Sequence, residues 1–462
     1  MPSIGARLRA VMKRKLRRFQ IRAVRFTEKR NGRVIIGDEM GLGKTAEAIA
    51  WAAINPKARP ALVICPASVK YNWEDELRIN AGLRCTVLSG RNPRPFRPRN
   101  GIAVINYAIL WQWRDLLSSM HFRLAILDEC HHIKNRQAKR TQAASMLASA
   151  CPHVICISGT PIVNKPVEYF PILHLIDPDA FPAFWPYAMR YCSPCRGYRG
   201  RGWLFPGATH VEELHAKTSG LIIRRTKAEV LTELPPKVST TLRVDITNAK
   251  AYKRAEDNVI KYILHAKGRA AATRAMRAPR LAKLSALTRI TAEGKIAPAI
   301  EWIRDFLDTT DQKLVVFGVH RNVIDGIHKK FRGALRIDGS VPTSKRGSIV
   351  NAFQTQPTKR LFLGNIRAAG EGITLHAAST VLFVEFGWTP GGVDQAAARV
   401  HRLGQKASRI NIYFMAGRGT VDEKILSVIH KKRDVVGRVV DGDTPTATAT
   451  AVVNLLQKER KQ

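Results

Sequence analysis

Residues 38–45 read DEMGLGKT and residues 128–135 read DECHHIKN. The first set has the makings of a phosphate-gripping turn. Gly41 and Gly43 let the backbone turn tightly and aim successive N–H groups at phosphate oxygens, helped by the dipole of a helix beginning near Lys44. Lys44 suits the β and γ phosphates of a nucleotide, and Thr45 can place its hydroxyl on Mg²⁺. The strict pattern has glycine six residues before the lysine, where this chain has Asp38. In the second set, Asp128 suits a water-mediated hold on Mg²⁺, and Glu129 can orient and deprotonate an attacking water. Together the two clusters predict binding and splitting of ATP. His131 and His132 have no further ligands at metal spacing nearby, so zinc is set aside. Cys192 and Cys195 form a lone C-x-x-C without a second pair and read as ordinary loop thiols.

Chemistry of this kind has to be held at strand ends. Val34 to Ile36 precedes the first cluster and Leu124 to Leu127 the second, which puts both at the carboxyl ends of buried parallel strands, where open α/β sheets bind ligands. Similar apolar runs recur at residues 61–65, 102–105 and 154–157. A second series follows at 314–317, 335–337, 361–363, 381–384 and 410–414. Two series predict an α/β chain of two doubly wound parallel-sheet lobes. The expected division is an ATP-binding lobe over 1–235 with a helical insertion at about 165–225, a linker with bracing helices over 236–290, and a second lobe over 291–440. Between the series, roughly 165–290 lacks the strand pattern and reads as helices and loops. Its basic, alanine-rich stretch from Lys250 to Lys283 is equally a solvated helix face or a DNA-tracking surface. From Asp441 onward, the TPTATATA segment reads as a flexible tail.

The charge balance narrows the partners. The 462-residue chain holds 76 Lys and Arg against 36 Asp and Glu, a net +40. Such an excess calls for a polyanion, because neutralising phosphates releases counterions; ATP alone does not require it. No apolar segment approaches the ~20 residues of a membrane span, and no lipidation signal is seen. Seven scattered cysteines suit a reducing compartment without a disulfide framework. The first 27 residues carry no acid and many Arg and Lys, as in a mitochondrial presequence, but an ATP-site element begins near Leu16.

One lobe does not finish the site, since nothing in it supplies cation to the γ-phosphate as charge develops. The second lobe offers Arg399 and Arg402 in the run 394–405, DQAAARVHRLGQ. Three apart, they share a helix face and could act as arginine fingers, which ties hydrolysis to motion between lobes.

The series LRRFQIRAV, DEMGLGKT, VICPASVKYNWEDE, DECHHIKN, SGTPIVNKPVEYF, IIRRTKAEVLTELPPK, IDGSVPTSKR, AAGEGITL, VEFGWTPG and QAAARVHRLGQ resembles the ATPase core of the Swi/Snf-type superfamily-two translocases, in family order over about residues 16–435. Within that family the chain looks most like the HepA-related, annealing-helicase branch, through TAEGKIAPAIEWIRDFL leading into VVFGVHRNVIDGI.

The resemblance implies two RecA-like lobes. It implies that Gln20 reads the adenine with Phe19 packed nearby, and that Ser158, Gly159, Thr160 and Pro161 couple hydrolysis to lobe movement. Ser68, Lys70, Asn106, Ser340, Arg346 and Thr374 fall in motifs that grip the sugar-phosphate backbone. Gly370, Glu371 and Gly372 match the motif linking nucleotide and DNA sites, and Gln405 closes the last motif. The chain departs from the family at Cys130, where Ala is usual, at Ala398, where an acid is common, and at Thr389, where Asn follows the aromatic Trp388.

The resulting expectation is a monomeric, DNA-stimulated ATPase using Mg²⁺ that translocates on duplex or forked DNA. A strand-separating DNA or RNA helicase and an ATP-gated DNA clamp without turnover are the rivals. No recruiting domain fits before Leu16 or after residue 440, which suggests a compact prokaryotic or viral enzyme, cytoplasmic, or nuclear if eukaryotic.

Overall fold

The structure is a computed structural model and describes residues 2–159, 165–197, 202–231, 233–267, 279–366, 373–387, 390–402 and 404–429. They form two compact units that meet in sequence between Thr232 and Glu233.

The first unit carries β1 (Arg33–Ile36), β2 (Ala61–Cys65), β3 (Thr86–Val87), β4 (Ile102–Asn106), β5 (Leu124–Asp128), β6 (His153–Ile157), β7 (Cys195–Arg196), β8 (Trp203–Leu204) and β9 (Ile222–Ile223). Apart from the antiparallel β7–β8 pair, these make one parallel sheet in the order β3-β4-β2-β5-β6-β1-β9. Alternate residues leave on opposite faces. Ile35, Leu62, Ile64, Ile105, Leu127 and Cys156 enter one core, while Val34, Ile36, Val63, Val104, Ile126 and Ile157 enter the other. Both faces are dry, so each strand reads as an unbroken apolar run rather than an alternating one.

The basic N-terminal segment belongs to this unit. Leu8 and Leu16 are buried in its second core. Arg7 bonds Glu28 at 2.8 Å, the Ile54 carbonyl at 2.8 Å and Asn55 at 2.9 Å.

The second unit carries β10 (Lys237–Val244), β11 (Leu314–Gly318), β12 (Leu335–Ile337), β13 (Leu361–Asn365), β14 (Thr380–Phe383) and β15 (Ile410–Gly417). All are parallel, in the order β10-β15-β14-β11-β13-β12. Val315, Phe317, Phe362, Val381 and Phe383 face one core, and Leu314, Val316, Leu363 and Leu382 the other.

The expectation that 165–290 lacks strands is corrected by β7 to β10. β10 pairs with β15 over eight residues, yet it is an edge strand and mostly exposed. Its Ser239, Thr240, Thr241 and Arg243 therefore break the apolar signature that betrays a central strand. The helices Ala249–Asp257 and Pro279–Gly294, read as bracing elements, bury Tyr252, Ala255, Leu287 and Ile290 in the second unit's core. Residues 268–278 of the basic stretch and the tail from Asp441 lie outside the described residues.

Candidate active site

Three neighbouring strands assemble the site. β5, β6 and β1 stand side by side; Asp128 ends β5 and Glu129 follows it, Ser158 and Gly159 follow β6, and the glycine-lysine loop follows β1. Segments far apart in the chain thereby meet at the carboxyl end of one sheet.

The loop has the backbone its glycines allow. Gly41 and Gly43 sit at φ 91° and 86°, in the left-handed region that side chains disfavour. Gly43 caps the helix Lys44–Ile54, whose first turn brings Lys44 and Thr45 to the site and aims unsatisfied N–H groups outward. A β-carbon at Gly43 would stand 2.5 Å from Gln20 Nε2. Gln20 is thus packed on the loop: its amide donates to the Leu42 carbonyl at 3.0 Å and accepts from the Arg17 N–H at 3.0 Å.

Lys44 donates to the carbonyls of Asp38 at 2.8 Å and Glu39 at 3.4 Å. Burial lowers its pKa, against the raising influence of Glu129, Asp38 and Asp128. The ammonium is held by carbonyls, weak partners that a polyphosphate can replace. A β-carbon at Gly159 would meet Met40 Cγ at 2.6 Å and Lys44 Nζ at 3.3 Å, so this position has to be bare.

Asp128 is 9% exposed. It accepts from Trp73 Nε1 at 2.7 Å and from the Glu129 N–H at 3.0 Å. Burial, then the charge of Glu129, raise its pKa to about 7 against those bonds and Lys44. Two adjacent carboxylates with this much excess negative charge suit a divalent cation, and few protein oxygens are needed because Mg²⁺ keeps waters and phosphates as ligands. Glu129 sits at φ 48°, a left-handed conformation that a non-glycine residue adopts at a cost of about 1–3 kcal/mol when its surroundings impose it. Here they do: the Tyr107 hydroxyl donates to the Asp128 carbonyl at 3.0 Å, His132 stacks on Tyr107 at 5.2 Å, and His131 stacks on His132 at 5.0 Å. His131 Nδ1 lies 3.4 Å from the Glu129 carboxylate and 3.2 Å from Ser158 Oγ. One imidazole therefore joins the carboxylate to the start of the next motif. Thr160 and Pro161 lie outside the described residues.

Two parts of the site carry no local signal of their role although each lies within a family motif. Only folding shows the indole N–H of Trp73 fixing Asp128. Arg224 and Arg225 are the other part. Arg224 donates to the carbonyls of Gly37 at 2.6 Å and Gly159 at 2.8 Å. Arg225 pairs with fully buried Asp38, bonds Glu47 at 3.1 Å and reaches the Phe19 carbonyl. The Asp38 side chain is thus committed behind the loop, and its carbonyl is what faces Lys44. Glu47 is raised well above the usual range by burial and by Asp38.

The remaining motif residues are placed as follows. Lys70, expected at the DNA backbone, is corrected in one respect: its ammonium is buried and donates to the Leu88 carbonyl at 2.7 Å and Ser89 Oγ at 2.8 Å, so it is not presented to solvent. Ser68 lies in the short turn before it, and Asn106 ends β4, 6% exposed.

In the second unit, Ser340 donates through N–H and Oγ to Asp338 at 2.8 and 2.5 Å. Arg346 donates to the carbonyls of Val341 and Asp338 at 3.2 and 3.4 Å. Arg399 and Arg402 do not share a helix face as expected. The helix Pro390–Ala397 ends first, and both residues lie in the turns beyond it. Arg402 donates to Thr374 Oγ1 at 2.7 Å and the Ile373 carbonyl at 3.2 Å. Gln405 pins the same turns by donating to the carbonyls of Ala378 and Val400 at 2.8 and 3.2 Å. Gly370, Glu371, Gly372, Trp388 and Thr389 lie outside the described residues.

The SNF2-related domain family matches residues 19–293, and the helicase conserved C-terminal domain family matches 298–404. The chain belongs to the SNF2 family of helicase-like ATPases. This SNF2 chain is 33% identical over 95% of its length to the mouse DNA annealing helicase and endonuclease ZRANB3, and spans 42% of that protein. It is 32% identical over 96% of its length to the Xenopus laevis SWI/SNF-related matrix-associated actin-dependent regulator of chromatin subfamily A-like protein 1, and spans 46% of it. The chain therefore covers less than half of each of these relatives. The Sulfolobus solfataricus SWI2/SNF2 ATPase core, solved in complex with double-stranded DNA, shares 26% identity over 93% of this chain and 94% of that one, with a TM-score of 0.43.

Proposed function

We propose that the chain hydrolyses ATP at the carboxyl ends of β5, β6 and β1, and that duplex or forked DNA stimulates this turnover and is the track along which the protein moves. The observation that supports this best is the convergence of Lys44, Asp128, Glu129, Ser158 and Gly159 at the carboxyl end of one sheet. Lys44 and the N–H groups opening its helix grip the β and γ phosphates. Glu129 takes a proton from water as its oxygen bonds to the γ-phosphorus, while the bond from that phosphorus to the bridging oxygen breaks and ADP leaves. Asp128 and Thr45 would hold Mg²⁺, which when bound would offset charge on the phosphates. Arg399 and Arg402 add cation to the γ-phosphate as charge develops, and Ser158, through His131, passes the state of Glu129 onward. Gln20 and Phe19 receive the adenine, and Ser340, Arg346 and Thr374 contribute to a grip on the sugar-phosphate backbone.

The net charge of +40 supports a polyanionic track read through its backbone, not its bases. The protein acts as a monomer in this reading. No helix among the described residues is long and apolar enough to cross a membrane.

The test is ATP turnover at fixed salt with single-stranded, duplex and forked DNA and with RNA. Stimulation by duplex or forked DNA that is lost in Lys44→Ala and Glu129→Gln supports the reading. Equal stimulation by RNA, or normal turnover in either variant, overturns it.

A further inference from the structure

Away from the phosphate site, the first unit opens an aromatic recess of about 490 Å³, within the roughly 300–1,000 Å³ of small-ligand sites. Phe184 and Trp185 line it from the helix Phe184–Tyr191, Trp203 and Phe205 line it from β8 and just beyond, and residues 134–137, which overlap the end of the 128–135 motif, line it as well. Trp185 is 43% and Trp203 40% exposed. Their rings meet edge to face at 5.1 Å, and the Phe205 ring lies 5.3 Å from that of Phe184. Behind them, Phe184 abuts the buried Phe170 at 5.4 Å, so the exposed rings are mounted on the unit's core.

The cations around this recess are placed on the rings themselves. The Arg136 guanidinium lies 3.9 Å from the centre of the Phe184 ring, and that of Arg196 lies 4.2 Å from the Trp203 ring. A guanidinium seated on an aromatic face still directs its N–H groups outward in its own plane, where they suit phosphate oxygens. Asn135, Arg136 and Gln137 are exposed. The acid in the lining, Glu168, is offset by Lys134 at 3.4 Å.

Part-exposed aromatic rings, guanidinium groups over two of them and exposed amide groups around one recess match a flat heterocycle joined to phosphates. We propose that this recess stacks an unpaired base of a single nucleic-acid strand, with Arg136 and Arg196 on the flanking phosphates. The inference rests on the reading above for a nucleic-acid partner and adds a subsite for unpaired nucleotides. Binding of an acidic peptide in preference to an oligonucleotide counts against the assignment.

The test titrates the full chain, at fixed salt, into labelled oligo-dT and oligo-U of about twelve nucleotides, within the footprint of strand-binding modules, and into a blunt duplex. Trp185→Ala and Trp203→Ala are each expected to weaken strand binding roughly tenfold, the loss of one stacking surface, with duplex-stimulated ATP turnover unchanged. Trp203→Phe, which keeps a ring, should bind strand nearly as wild type does. A preference for oligo-dT marks the ligand as DNA, and equal binding of oligo-U marks the shared chemistry as sufficient. Unchanged strand binding in both alanine variants overturns the inference, as does a Trp203→Phe variant as weak as Trp203→Ala. If duplex fails to stimulate wild-type turnover while strand binding still depends on the tryptophans, the translocase reading falls and this one stands.

Discussion

The two units resolve their buried carboxylates in opposite ways. In the first, burial raises the Asp128 carboxyl to about 7 and lifts Glu47 well above the usual range. In the second, burial also opposes ionisation of Asp338, but hydrogen bonds from Ser340 and Arg336 outweigh it and hold the group at about 2. Nearby, Lys295 and Asp422 form a buried pair at 2.6 Å, and Glu385 accepts from the N–H groups of Val319 and His320, both at 2.9 Å. Charge in the second unit is satisfied by its own chain and serves the fold. At the Asp128–Glu129 pair it is left unbalanced, at an energetic cost that a bound divalent ion can offset.

The largest effect expected from this contrast is on chemistry. Glu129→Gln should lower ATP turnover by about 10²–10⁴-fold, the usual worth of a general base, with nucleotide binding kept; single-turnover hydrolysis beside nucleotide titration checks both. A matched change in the second unit, Glu385→Gln, should leave turnover nearly intact, and a comparable collapse there would erase the distinction.

Arg225→Met comes next, because it strands Asp38 and Glu47 without their cation. Breaking a buried pair on one side costs about 3–5 kcal/mol, to be read from urea unfolding. Lys295→Met should cost a similar amount of stability. Only Arg225→Met should also weaken ATP binding in the folded protein, because only that arginine braces the loop.

Trp73→Phe removes the indole N–H that Asp128 accepts. A hydrogen bond to a charged group is worth about 1.5–3 kcal/mol, so kcat/KM for ATP should fall by roughly one to two orders of magnitude, with stability measured alongside to separate packing from chemistry.

The smallest expected effect belongs to Asp338. Its folded pKa of about 2 lies below the ordinary 3.8, so ionisation stabilises the fold above pH 4, and that contribution fades as pH falls from about 4 toward about 2. Asp338→Asn should therefore destabilise by about 1–2 kcal/mol near neutrality, and the gap in urea midpoint should narrow across that acid window. A gap independent of pH would place the effect in the loop's shape rather than its charge.

The central strands were legible because both faces of each sheet are covered, which turns every such strand into a continuous apolar word. β10 was not, since an edge strand with an exposed face carries Thr, Ser and Arg that also suit a loop. The phosphate loop and the acidic pair were legible because local spacing alone fixes their chemistry. Arg225 and Trp73 were not, for they matter through partners 187 and 55 residues away in sequence. Arg399 and Arg402 show the opposite failure: a spacing of three suggested a helix face, but the helix ends before them, and Arg402 is turned onto Thr374.

By itself, then, the order of residues determined which groups could grip phosphate, activate water and bind a polyanion, since these depend on residue type and on neighbours a few positions apart. Only the tertiary structure decided that β6 stands between β5 and β1, that Arg225 neutralises a carboxylate behind the loop, and that Lys70 turns inward. Those outcomes depend on strand order and burial, which are set by the packing of the whole unit and leave no local trace in the sequence.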